Sequence, residues 1–214
     1  MKKIGDEVQY YYDTHPTEED LMGETWIHRR LVRYLVLVLQ WLFHEQACAI
    51  SDNLNFYQTL DPNEYPVAPD IAVIKGVPEP EDGSSWTIGR TGPAPQVVFE
   101  IASKETWRKD VEEKPRRYAN MGVEEYYVYD PNDPPLWRNT SQRLRGWQLD
   151  RTPGEMVEMA ADPQGRLWSS HLDSWLVPHG KYLRLYDRNN QQRLTETEAL
   201  AEKLRALGVN PNEI

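Results

Sequence analysis

The sequence predicts an α/β domain built on a mixed sheet, with helices on its faces and a β-rich C-terminal extension. Three patterns carry that expectation: apolar residues at helical spacing before residue 43, short apolar runs bounded by Pro and Gly at 71–74, 97–101 and 125–130, and a helical stretch between the last two runs. A chain of 214 residues suits one such domain. The expected core covers about 17–131, and the extension with a terminal helix covers about 132–214.

In chain order, Glu18, Glu19 and Asp20 crowd a helix start at Thr17, and Leu21, Glu24, Ile27, His28, Leu31, Leu35, Val38 and Leu42 follow at spacings of three and four. The later part is rich in Val and Leu on all sides, which predicts a sheet against one side and a second subunit, a homodimer, against the other. Residues 47–51 and 54–57 alternate like paired strands. The runs Ile71 to Ile74 and Val97 to Ile101 read as buried strands, each with one acid, Asp70 and Glu100. The stretch between them, with Pro78, Pro80, Gly83, Gly89 and Gly92, reads as an excursion at the sheet edge. A helix from Asp110 to Met121 stops at Gly122, and residues 125–130 form a strand closed by Pro131. Short β stretches at 144–149, 156–159, 167–169 and 182–186 follow, then a Leu-spaced helix from Glu196 to Leu207 that either pairs with another chain or docks on the sheet.

Composition limits the function classes. The chain has 24 Lys and Arg against 34 Asp and Glu, a net charge of −10, with 39% hydrophobic and 11% aromatic residues, which excludes collagen-like and wholly disordered classes. The longest apolar run, Leu31 to Phe43, is interrupted by Arg33 and Gln40 and falls short of the ~20 residues of a spanning helix. Residues 1–7 show no signal-peptide apolar region, and the lone cysteine, Cys48, has no internal partner. The expectation is a cytoplasmic protein with no membrane association and no disulfide-linked partner. The overall charge has the wrong sign for a typical nucleic-acid binder. Locally, Lys104, Arg108, Lys109, Lys114, Arg116 and Arg117 outnumber Glu105, Asp110, Glu112 and Glu113, which reads first as a solvated helix face.

An ionised carboxylate such as Asp70 or Glu100 is expensive to bury unless a cation or donors compensate it. On adjacent strands the two acids converge at one edge, a hard oxygen set with room for water that suits magnesium; alternatively, each caps a turn or pairs with a nearby base. Phosphodiester cleavage also calls for a cation beside the nucleophile or the leaving oxygen, commonly a lysine. Two residues past Glu100 stands Ala102. The candidates are Lys104, in the loop, and Lys114, which shares a helix face with Asp110 and Tyr118 and lies near a helix start because Pro115 follows it. Pairing with Asp110 alone is the plainer reading of Lys114.

Residues 68–77 (Ala68-Pro69-Asp70 through Val77), residues 98–106 around Glu100, Arg108-Lys109-Asp110, Glu113-Lys114-Pro115, Tyr118, and residues 122–131 closely resemble the Uma-two family of "putative restriction endonucleases", within the PD-(D/E)XK nuclease superfamily. The resemblance is dense from about Asp52 to Pro131; His28 and residues 182–186 also fit the flanks. It implies a restriction-endonuclease-like core and a Mg-dependent (or Mn-dependent) endonuclease that hydrolyses DNA. Asp70 and Glu100 become metal ligands, with the Ile101 carbonyl as a further ligand, and Lys114 takes the lysine role by migration. Lys104 is its rival and Asp110 an orienting group for either. His28, four residues after Glu24, could add a base or an outer ligand, although a lone helix histidine is more often packed or exposed. Trp107, Tyr126, Tyr127 and Tyr129 read as core more readily than as base-stacking groups; for Trp86, a substrate and a second subunit are both open. Two rival readings stand beside the nuclease: a non-catalytic module binding nucleic acid or protein, and an enzyme acting on a small phosphorylated substrate. A basic rim around the acids favours DNA, a closed pocket favours the small substrate, and no lysine within reach favours the module.

Overall fold

The computed structural model describes residues 25–80, 83–137 and 141–211. Helix α1 spans Trp26–Leu42. Thr25 is extended, and its side chain accepts the His28 N–H, so the helix that reaches Leu42 starts at Trp26 and not near Thr17. The acidic cluster at 18–20, with Leu21 and Glu24, lies outside the described residues.

Six strands form the central sheet in the order β1-β3-β5-β6-β7-β8: β1 (Cys48–Ser51), β3 (Ile71–Lys75), β5 (Val97–Ile101), β6 (Glu125–Tyr129), β7 (Leu144–Asp150) and β8 (Glu155–Glu158). Only β5 and β6 run parallel; the other neighbours are antiparallel, so the sheet is mixed. Residues 71–74 and all five residues of β5 and of β6 are buried because both sheet faces are covered, which is why they read as apolar runs and not as alternation. On one face lie Leu31, Leu35, Val38 and Leu39 of α1, together with Leu176, Leu183 and Leu185. Those leucines come from β10 (Ser174–His179) and β11 (Tyr182–Tyr186), which form a three-stranded antiparallel sheet with β9 (Leu167–Ser169). On the other face lie Phe56, Val67, Trp86, Tyr118 and Met121. A fully buried aliphatic or aromatic side chain contributes about 1.5–3 kcal/mol, so these two clusters are the main source of stability.

Four sequence expectations change. The stretches 47–51 and 54–57 do not pair with each other. After Asn53, at φ 49°, the chain turns away, and β2 (Asn55–Tyr57) pairs in parallel with β4 (Ser85–Thr87). The excursion that holds β4 therefore forms its own two-stranded sheet, and Trp86 is core: it is 3% exposed, and its Nε1 donates to the Pro93 carbonyl. The helix expected over 110–121 is two helices, α2 (Trp107–Glu112) and α3 (Lys114–Met121), because Pro115 lacks an N–H and its ring would meet the carbonyl four residues back. Strand β10 escapes the sequence reading because Pro178 interrupts its alternation. Gly122 is the left-handed stop of α3, at φ 81°. The last helix, α4 (Glu196–Ala206), opens with a Thr195–Glu198 capping box and docks against α1. Among the described residues, no helix is long and apolar enough to cross a membrane.

Candidate active site

The acids meet because β3 and β5 are antiparallel neighbours. Ile71 pairs with Phe99, so Asp70, one residue before β3, reaches the end of β5 where Glu100 and Ile101 lie. One Asp70 oxygen accepts the Ile101 N–H at 2.6 Å, and the other lies 3.0 Å from His28 Nε2. The Thr25 cap places His28 in the first turn of α1, facing the strand end. The His28 ring is packed against the strand end with Asp70 as its hydrogen-bond partner.

Glu100 is 4% exposed, and β5 alternation puts it on the same face as Val98 and Ala102. That face looks at α3. Lys114, its first residue, sets Nζ 2.7 Å from Glu100 Oε1 and 2.9 Å from Asp110 Oδ1. Tyr118 donates its hydroxyl to the same Glu100 oxygen at 2.6 Å, and Thr106 donates to Asp110 Oδ2 at 3.0 Å. Tyr126 donates to the Asp110 carbonyl, tying α2 to the sheet. Asp110, Lys114 and Tyr118 thus converge as expected from their spacing, although they straddle the break between α2 and α3. Lys104 is exposed instead, and it lines a groove with Trp107, Arg108 and Trp137.

One ammonium faces two carboxyl groups, Glu100 and Asp110, in a buried setting, with Asp70 near enough to influence both acids. Burial pushes the Glu100 carboxyl up to about 8; Lys114 opposes the rise, and the charges of Asp70 and Asp110 add to it. Burial raises Asp110 as well, against the pull of Lys114 and Thr106. Burial alone would lower the Lys114 ammonium, but Glu100 and Asp110 more than offset it and hold it above the usual lysine range. Among the described residues, no three His, Cys, Asp or Glu side chains are grouped to hold a metal ion. The oxygen donors present are the Asp70 and Glu100 carboxyls. That donor set fits a hard divalent cation that keeps several waters, and it has no soft ligand for zinc.

Residues 5–171 match the family described as Uma2, "Putative restriction endonuclease". The chain belongs to the Uma2 family. No curated protein matches this Uma2 chain. Among solved structures, it is similar to a "putative nuclease belonging to DUF820" from Anabaena variabilis, at 15% identity over 71% of this chain and 76% of the other, with a TM-score of 0.49.

The candidate site includes groups that the sequence pattern left without a role. Tyr118 shares the Lys114 face, but nothing in its spacing marks it as the Glu100 donor. Thr106 precedes Asp110 by four residues and would have passed for an ordinary helix cap. Tyr126, Tyr127 and Tyr129 are fully buried, in keeping with the core reading.

Proposed function

We propose that this Uma2 protein is a magnesium-dependent endonuclease that hydrolyses DNA phosphodiester bonds. The observation that carries the reading is the Lys114 ammonium at 2.7 Å from Glu100, which supports Lys114, on α3, as the lysine that position 102 lacks. Asp70, Glu100 and the Ile101 carbonyl would hold the cation; it would supply Lewis-acid stabilisation of charge on the phosphate and activation of water. Asp70 is oriented by the Ile101 N–H and His28, so its carboxylate is preorganised. Tyr118 and Asp110 fix the Lys114 ammonium and the Glu100 carboxylate against each other. Lys114 steadies the attacking oxygen or the charge developing at phosphorus. Asp70 borders an open groove and not a closed chamber, which favours a polymeric substrate over a small phosphorylated one.

The test follows plasmid nicking with magnesium or manganese for wild type, Asp70→Ala, Glu100→Ala and Lys114→Ala, with cation binding measured by calorimetry. The reading expects nicking that needs the cation and is lost in all three variants. Cation binding without nicking of any DNA would leave a metal site without this chemistry, and no binding would turn the assignment to a non-catalytic module.

A further inference from the structure

Helix α1 turns its leucine stripe into the core and leaves a second face outside. Trp26, Arg30, Arg33 and Leu37 follow one another at spacings of four, three and four, with Arg29 four residues before Arg33. At about 1.5 Å per residue, this strip is about 16 Å long. It borders an open groove of about 670 Å³ that also includes Asp52, Asn53 and, at one end, Asp70. The guanidinium groups of Arg30 and Arg33 border that groove, in a chain of net −10.

Several arginines elsewhere are committed: Arg143 to Asp133, Arg145 to Glu158, Arg166 to Asp162 and Arg188 to Asp173. Among the described residues, neither Arg30 nor Arg33 has an ion-pair or hydrogen-bond partner, and both are exposed. Trp26 is 78% exposed, a large apolar ring left in water on the same strip. Free guanidinium forks match phosphate oxygens. An open indole matches the face of a base, which is available only where the base is not stacked inside a duplex.

We propose that the α1 strip binds an unpaired stretch of nucleic acid and leads it to Asp70, with Arg30 and Arg33 on phosphates and Trp26 stacked on a base. The role of that strand as substrate rests on the nuclease reading above; its binding does not. The preferred ligand is accordingly a single-stranded tail or frayed end, and not an intact duplex.

The test is fluorescence anisotropy on the full chain in EDTA, so that no cleavage occurs. The probes are a labelled oligothymidylate, a blunt duplex and polyglutamate as an anion control. Wild type should bind the single strand more tightly than the duplex or polyglutamate. Arg30→Ala with Arg33→Ala should weaken single-strand binding about tenfold or more and reduce the slope of log K against log salt by about 1.4, since each single-strand phosphate contributes about 0.7. Trp26→Ala should weaken it about 5- to 100-fold with the salt slope unchanged. Circular dichroism checks that the variants fold. Unchanged affinity in the arginine variant, tighter binding of the duplex, or equal binding of polyglutamate would each overturn the proposal. Nicking by variants that bind oligothymidylate like wild type would overturn this proposal and leave the nuclease reading standing. Strand binding that depends on Arg30, Arg33 and Trp26, with no nicking under any cation, would support this proposal and sink the nuclease reading.

Discussion

Glu100 shows how one buried carboxyl can tie stability to pH. Its folded value, about 8, lies well above the ordinary carboxyl range, so the stability it contributes is complete below about pH 4.3 and is lost as pH rises through about 8. Asp110 is raised too and acts in the same direction. The cation-free protein should therefore melt several degrees lower at about pH 9 than at about pH 5, and Glu100→Gln, which keeps the shape without the charge, should flatten that dependence in a thermal melt. Lys114 is the counterweight. Lys114→Met leaves two buried acids facing each other, which costs on the order of 3–5 kcal/mol by denaturant titration unless both take up protons. Its nicking rate should fall by about a hundredfold or more even where the fold survives.

Among the elements, the break at Glu113 decides where the lysine points. A single helix over 107–121 would need a backbone donor at residue 115, and Pro115 provides none. Pro115→Ala removes that bar; the melting temperature should hold or rise while nicking falls, because the first turn of α3 is free to rotate away from Glu100. In β7, a Cβ at Gly146 would sit 2.7 Å from both the Tyr127 ring and Leu167, so Gly146→Ala should cost about 1–3 kcal/mol in a denaturant titration. These positions also mark what the sequence made legible. Strands β3, β5 and β6 are readable because they are short apolar runs covered on both faces, and the acids are readable because a charge inside such a run needs a reason. Proline at 115 is readable as a helix start, but not as a boundary between two helices that still aim Asp110 and Lys114 at each other. Pairings between distant segments, such as β2 with β4, depend on packing that no local pattern encodes. The Tyr118 hydroxyl and the arginines of α1 looked like ordinary members of amphipathic helices, since spacing alone does not say what lies opposite a helix face.

For the whole molecule, the raised Glu100 carboxyl would couple the proposed cation binding to proton release. A cation held by Asp70 and Glu100, as proposed above, would compete with the proton that burial favours on Glu100. Calorimetry at pH 7 in buffers with different ionisation heats should give apparent enthalpies that vary with the buffer, and Asp70→Ala should show neither binding nor that variation. Saturating cation should raise the melting temperature, with about 2.7 kcal/mol of added stability at a hundredfold excess over Kd.

The acids and the lysine stand on supports of unequal firmness. Glu100 is on β5, held by strands on both sides in a six-stranded sheet, whereas Lys114 is the first residue of a helix of 8 residues with a proline next to it. Local opening of α3 costs less than opening of β5, so its amide protons should exchange with solvent first. Warming would then withdraw the ammonium while the acid pair is still in place, and turnover would fade at temperatures where the sheet remains folded and cation affinity persists.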